Sequence, residues 1–208
     1  YNKMRFEYIW IDASGNTRGK TRIIRSNNTL NNDDLISVIP EWNFDGSSTG
    51  QATSDNSEVI IKPCSVFNDP FSTDSNSKLV LCDTYYPDGT PHETNKRHDA
   101  VENFIRKPGL RPMFGIEQEF FLTRNNIPLG FQDSNPRPQG NYYCGIGASN
   151  AIGRECIEDA FNNCIKAGLS ITGMNAEVAP SQWEFQICDY GIVVCDQLWI
   201  MRYILNRT

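Results

Sequence analysis

Histidine is nearly missing from this chain, which holds only His92 and His98 in 208 residues. The seven cysteines contain no C-x-x-C pair, so a zinc site of the Cys/His kind is not expected. Their odd number and irregular spacing also argue against a disulfide framework. Cys64, Cys82, Cys144, Cys156, Cys164, Cys188 and Cys195 are expected as free, mostly buried thiols in a reducing compartment. No apolar run reaches about 18 residues, so no membrane-spanning helix is expected. Positive charge is short too: 19 Lys and Arg against 25 Asp and Glu leave a net charge of −6, the wrong sign for a nucleic-acid partner. There is no Walker G-x-x-x-x-G-K-[ST]. Gly145-Ile146-Gly147-Ala148-Ser149 lacks the third glycine of a Rossmann turn, and reads as a tight turn before a helix. The sequence opens on Tyr1 with no initiator Met and no signal-peptide core, so a fragment is expected, with any targeting segment left open.

Carboxylates, by contrast, are arranged with care. Phe114-Gly115-Ile116-Glu117-Gln118-Glu119-Phe120-Phe121-Leu122 is a strand-like run with acids at i and i+2, which share one face. Asn175-Ala176-Glu177-Val178-Ala179-Pro180-Ser181-Gln182-Trp183-Glu184-Phe185-Gln186 carries two more acids on strands either side of a proline-containing turn. Like charges gathered on one buried face repel and lose hydration unless something positive lies between them. A divalent cation is the simplest candidate, and an all-oxygen donor set suits Mg²⁺ or Mn²⁺ better than zinc. Spacing alone leaves a second reading open, that of ordinary exposed strand acids. Phe120, Phe121, Trp183 and Phe185 favour a partly buried face.

At 39% hydrophobic and 21% charged residues, the chain can form one large or two small globular domains. Residues 6–12 and 19–25 read as a hairpin about the turn 13–16, 26–34 as a loop, and 57–61 and 78–83 as further strands. Pro87-Asp88-Gly89-Thr90-Pro91 is the expected domain boundary. A helix follows, capped by Thr94, with Val101, Phe104 and Ile105 on its apolar face and Pro108-Gly109 at its end. Residues 125–140 read as a Pro/Gly/Asn-rich loop. A second helix is expected over 151–167, with Ile152, Cys156, Ile157, Ala160, Phe161, Cys164 and Ile165 at helical spacing and Gly168 as its cap. Asp196 is expected to cap a last helical run over 198–205, whose apolar face needs a partner. No terminating signal follows it, so the chain is expected to stop inside a domain.

Glu41-Trp42-Asn43-Phe44-Asp45-Gly46-Ser47-Ser48-Thr49 is the other dense segment. Asp-Gly-Ser-Ser is turn chemistry, while two aromatics beside an acid also suit a ligand-contacting loop. Taken in order with Tyr8–Asp12, Lys78–Cys82, Glu93-Thr94-Asn95, Gln139–Gly147 and Asp196–Arg202, these segments resemble type II (eukaryotic-type) glutamine synthetases over nearly the whole chain.

The resemblance implies an α+β fold: an N-terminal β-grasp domain over 1–90, then over 91–208 the first part of a catalytic domain shared with guanidino kinases, an antiparallel sheet flanked by helices and incomplete at its C-terminus. It implies ATP-dependent ligation of ammonia to L-glutamate through γ-glutamyl phosphate, with Mg²⁺ or Mn²⁺ clamping the phosphates. Glu119, Glu177 and Glu184 would be the full ligand set of one ion and Glu117 the first ligand of a second. The segment Glu184, Phe185, Gln186, Ile187, Cys188 and Asp189 would form part of the ATP site, although Cys188-Asp189 departs from the commoner Gly-Pro. Asp45 and Ser48 would sit in a loop inserted into a neighbouring subunit's active site, Asp45 binding ammonium and taking its proton, within two stacked pentameric rings. The implied compartment is the cytoplasm, an organelle not being excluded. The remaining ligands and anion-binding arginines would lie beyond Thr208, so the chain alone is expected to be inactive, and His92 and His98 fall outside the matching ligand positions. The rival reading is a naturally short, non-catalytic homologue acting as a structural or binding module in such rings. Use of another amine in place of ammonia is a third possibility that the type II motifs disfavour.

Overall fold

The computed structural model describes residues 2–26, 32–131 and 139–208. Parts of the two loops expected over 26–34 and 125–140 therefore lie outside the described residues. The fold is α+β, in two compact units, Tyr1–Arg111 and Pro112–Thr208.

The first unit is built on alternation. In β1 (Asn2–Ile11), Met4, Phe6, Tyr8 and Trp10 all turn to one face and are buried. β1 pairs antiparallel with β2 (Thr17–Ser26) across the expected turn, where Asp12 accepts from the Ser14 and Asn16 amides and ion-pairs with Arg18 at 2.8 Å. A four-residue helix, α1 (Asn32–Leu35), brings Leu35 onto the core. β3 (Trp42–Asp45), β4 (Glu58–Asn68) and β5 (Ser77–Tyr85) complete a sheet in the order β2-β1-β5-β4-β3. Only the central pair β1–β5 is parallel. A hairpin whose first strand lies beside a later parallel strand, with a helix on the core face, is the β-grasp arrangement expected.

The Pro87–Pro91 segment is a reversal within this unit, not its end. Tyr86 donates to Thr90 O, and Tyr85 bridges Pro91. The chain then stays on the sheet, because His92 N and the Asn95 side chain both donate to Thr84 O. α2 (Lys96–Ile105) follows, tied by Arg97 to Asp83 at 3.1 Å. Asn95, not Thr94, caps it, accepting from His98 N at 3.0 Å. Its expected apolar face is poorly covered: Val101 and Phe104 are half-buried and Ile105 is exposed. His98 is half-buried beside Tyr85. By their contacts the two units divide after Arg111.

In the second unit, β6 (Met113–Phe121), β9 (Ile171–Ala176) and β10 (Gln182–Tyr190) form an antiparallel sheet with β10 central. A small hairpin of β7 (Thr123–Arg124) and β8 (Ile127–Pro128) occupies part of the expected loop. α3 (Arg154–Ala167) presents Ile157, Ala160, Cys164 and Ala167 to the core. Cys156 and Ile165 are exposed, so the apolar stripe is narrower than expected. The glycine run at 145–147 lies in successive turns before this helix, and Gly168 closes it in the left-handed conformation. α4 (Gly191–Arg207) begins five residues before Asp196, because Gly191 takes a φ of 55° directly at the end of β10. Asp196 is a buried residue inside the helix rather than its cap.

All seven cysteines are free, but only Cys82 and Cys164 are buried; Cys144 and Cys156 are exposed. The expectation of mostly buried thiols is corrected accordingly. Among the described residues no helix is long and apolar enough to cross a membrane.

The turn after β3 tests this packing. A Cβ at Gly46 would meet Val59 Cγ2 at 2.5 Å and Ala52 Cβ at 2.8 Å. Gly46→Ala is therefore expected to cost about 1–3 kcal/mol by overpacking. Gly109, with nothing within 4 Å and no positive φ, is the control, expected to shift by at most about 0.5 kcal/mol on the same substitution. Urea-unfolding midpoints of the two variants check both.

Candidate metal centre

The register of the second sheet decides which side chains share a face. Glu184 of β10 lies opposite Glu119 of β6 on one side and Asn175 of β9 on the other. Gln186 lies opposite Glu117 and Gly173. Two parallel rows thus cross the sheet, Glu119–Glu184–Asn175 and Glu117–Gln186–Gly173. The alternate rows carry Phe120–Trp183–Ala176 and Gln118–Phe185–Met174 on the opposite face. There Trp183, Phe185 and Ile187 are at most 1% exposed, with Phe185 packed edge-on against Phe120 and Phe161. Trp183 Nε1 donates to Ile152 O at 2.9 Å.

Glu177 is the first residue after β9, not part of a strand, and the turn swings it back over this face. Carboxylate oxygens of Glu119, Glu177 and Glu184 come within 4.8 Å of one another. Glu184 is buried, Glu177 half-buried and Glu119 exposed. Glu117 is exposed on the same face, two residues along β6, and is not in this group. Ionised pairs at such a distance repel by roughly 3 kcal/mol at an effective dielectric of about 20, less at Glu119, which stands open to water and counter-ions. None of the ion pairs among the described residues involves these four glutamates.

Neutral amides hold the group instead. Gln182 bridges the turn to the strand: its Oε1 accepts from Ala179 N, and its Nε2 donates to Glu119 Oε2 at 2.7 Å. Gln186 Nε2 donates to Glu184 Oε1 at 2.5 Å and to Asn175 Oδ1 at 3.1 Å. Asn175 Nδ2 in turn donates to Glu177 Oε1 at 3.1 Å. Gly173 makes room for this relay, since a Cβ there would stand 2.7 Å from Gln186 Oε1. Asn175 and Gln182 were not singled out from the sequence, although Gln182, Glu184 and Gln186 alternate at the strand period. Tyr143 was missed as well. Its exposed phenol is pushed up by the neighbouring Cys144 and by the fields of Glu177 and Glu184.

The rest of the expected nucleotide segment is divided. Glu184, Gln186 and Cys188 belong to the carboxylate face, while the Phe185 and Ile187 side chains point into the core. Asp189 is committed elsewhere: it accepts from Ser170 Oγ at 2.7 Å, Tyr190 N and Gln197 Nε2, which hold its carboxyl below the ordinary range. Asp45 and Ser48 belong to the first unit. Asp45 is exposed and caps the 3₁₀ turn Gly46–Thr49. It accepts from Ser47 Oγ at 2.6 Å, Ser48 Oγ at 3.0 Å and Ser47 N at 3.0 Å, and these bonds depress its pKa.

A model of the glutamine synthetase catalytic domain matches residues 93–208, more than half of the chain. The chain belongs to the glutamine synthetase family. It is 48% identical to a cytosolic isozyme of glutamine synthetase from Daucus carota and 45% identical to cytosolic isozyme 1-2 from Oryza sativa subsp. japonica, over 99% of this chain in both cases. It spans about 58% of the length of those relatives. A solved structure described as a GmaS/ADP complex superposes with a TM-score of 0.73 at 16% identity, over 98% of this chain and 46% of that one. That likeness shows the fold alone.

The electrostatics of this family member's carboxylate face have a measurable consequence. Burial pushes the Glu184 pKa up; the Gln186 hydrogen bond opposes this, and the charges of Glu117, Glu177 and Glu119 add to it. Above the ordinary glutamate value of about 4.3 the Glu184 site therefore holds more protons in the folded chain than in the unfolded one. The contribution of Glu184 to stability without divalent cations is expected to fall as pH rises from about 4.3 through the raised value, then level off. Glu184→Gln is expected to flatten that segment of the profile, as read from urea midpoints between about pH 4 and pH 7.

Proposed function

We propose that this chain supplies the N-terminal part of an ATP-dependent glutamate–ammonia ligase, taking L-glutamate, ammonia and ATP and passing through γ-glutamyl phosphate. The observation that carries this reading is the convergence of Glu119, Glu177 and Glu184 on one sheet face, unneutralised, in a chain of this family. Three carboxylates and no sulfur or imidazole make a hard, all-oxygen donor set suited to Mg²⁺ or Mn²⁺. Such an ion offsets the repulsion between an anionic phosphoryl donor and an anionic carboxylate nucleophile.

Within that reading each residue has a defined task. Glu119, Glu177 and Glu184 hold one ion, and Glu117, exposed beside them, begins a second site. Gln186 and Cys188 share the face with Glu184 and are the side chains of the ATP segment placed to meet a nucleotide; Phe185 and Ile187 shape the strand from behind, and Asp189 anchors its end. Asp45, kept ionised by its serine neighbours, binds ammonium and accepts its proton, with Ser48 fixing its orientation. The family relation supports assembly into stacked pentameric rings, and the cytosolic names of the relatives support a cytoplasmic location. Because the chain spans 58% of its relatives' length, we assign the rest of the catalytic apparatus to residues beyond it.

Calorimetric titration with Mn²⁺ tests the metal assignment. The chain is expected to bind with a heat that Glu184→Gln reduces at least tenfold in affinity, whereas Glu117→Ala leaves the first binding event in place. Equal binding by wild type and Glu184→Gln would sink the ligand set. The purified 208-residue chain is expected to form no glutamine from glutamate, ammonia and ATP; measurable turnover would overturn the division of the site.

A further inference from the structure

His92 is buried, and every polar atom of its ring is engaged. Gln51 Nε2 donates to Thr94 Oγ1 at 3.0 Å, so the Thr94 hydroxyl turns its proton to His92 Nδ1, 2.8 Å away. Thr94 N also donates to Nδ1, at 3.2 Å. With Nδ1 accepting twice, the ring's proton lies on Nε2, which meets the backbone oxygen of Gln51 at 2.6 Å. The neutral Nε2–H form is thereby selected by its surroundings. Tyr86 lies tilted beside the ring with centroids 4.5 Å apart, and the His92 backbone is tied through its N–H to Thr84 O.

Gln51 is what the ring holds, and Gln51 closes the Asp45 turn. Its backbone N donates to Gly46 O at 2.8 Å, and the next amide, of Ala52, donates to the same oxygen at 3.1 Å. Its side chain takes Thr49 Oγ1 on Oε1 at 2.8 Å and gives Nε2 to Ile11 O at 3.2 Å. Gly46 is in turn the residue after Asp45, with no room for a side chain. One continuous set of hydrogen bonds therefore runs from His92 through Gln51 to both ends of the 3₁₀ turn that Asp45 caps.

We propose that His92 is a positioning residue which, through Gln51 and Thr94, fixes the pose of the exposed Asp45–Ser48 turn for ammonium. This rests on the reading of Asp45 as the ammonium-binding acid. His92 touches no reactant; it holds the backbone from which Asp45 and Ser48 are displayed. An exposed four-residue turn frays unless its carbonyl and amide groups are pinned from below, and the ring supplies the deepest of those pins.

Three spectroscopic readouts on the 208-residue chain test this. In the wild type, the ¹⁵N shifts of the His92 ring are expected to report the Nε2–H tautomer; an Nδ1–H tautomer would overturn the proposal. In His92→Leu, the amides of Gln51 and Ala52 are expected to exchange with solvent about tenfold faster. The Asp45 carboxyl is expected to titrate closer to the ordinary aspartate range, while the amides of Tyr8 and Val80 in the central strands keep their protection. His92→Gln, which can carry an N–H to the Gln51 oxygen, is expected to restore both signals. Thr94→Val, which leaves the ring in place, is expected to loosen the same amides and serves should His92→Leu fail to fold. Unchanged exchange and titration in these variants would overturn the proposal, as would equal loss of protection in the central strands or a His92→Gln that behaves like His92→Leu. None of these readouts involves ammonia. If Asp45→Ala left the KM for ammonia of a ligase-competent longer form untouched, the ammonium reading would fail while the positioning of the turn stood.

Discussion

Everything in the second unit answers to one constraint: three carboxylates must be held within 4.8 Å of one another on a face where no described cation pairs with them. The sheet meets it by dividing its two faces. Trp183, Phe185 and Ile187 are almost fully buried on the opposite side, each contributing on the order of 1.5–3 kcal/mol of burial, comparable with one pairwise repulsion. The antiparallel ladder through central β10 then fixes the register, so that Glu184 cannot retreat from Glu119 without moving the core residues beside it. The amides of Asn175, Gln182 and Gln186 orient the oxygens without cancelling their charge. A lysine in their place would relieve the repulsion and occupy the space a cation needs.

The two units treat their acids in opposite ways. Asp45 lies in the open, surrounded by hydroxyl and amide donors that favour its ionised form. Glu184 is buried among like charges, which disfavour that form, with a single amide donor in compensation. The first environment favours the ionised carboxylate, and the second disfavours it. Residue type is nearly the same in both; the surroundings assign the roles.

The shared face of Glu117 and Glu119 was legible from period two alone, and the first hairpin from its strands at 6–12 and 19–25, whereas the reach of β1 back to Met4 was not. The α+β class and the glutamine synthetase likeness followed from motifs in order along the chain. What failed was tertiary. Asp196 has the look of a helix cap, yet α4 starts at Gly191 because the strand before it ends there and glycine allows the sharp turn. Thr94 is a plausible cap by type, but it faces His92, leaving Asn95 to do the capping. Just after Pro87–Pro91, the hydrogen bonds of His92 and Asn95 back to Thr84 tie the chain to the first sheet, a contact that local sequence does not announce. The convergence of Glu177 with Glu119 and Glu184 likewise depends on a turn whose path local sequence does not specify. There Ser181 adopts a φ of 58°, and its hydroxyl donates to Leu122 O at 3.2 Å.

The same logic bears on what this length of chain can accomplish. Attack by one anion on another is slowed by their mutual repulsion, and an all-carboxylate face adds to that repulsion until a cation occupies it. On the proposed ligase reading, the positive charge would come from bound metal and from groups that this face does not contain. On that reading, holding a metal and displaying Asp45 are separable from bond making, since each rests on local hydrogen bonds and packing within its own unit. Charges are, on the proposed reading, placed in advance at a cost the cores offset, and bond making is a separate step.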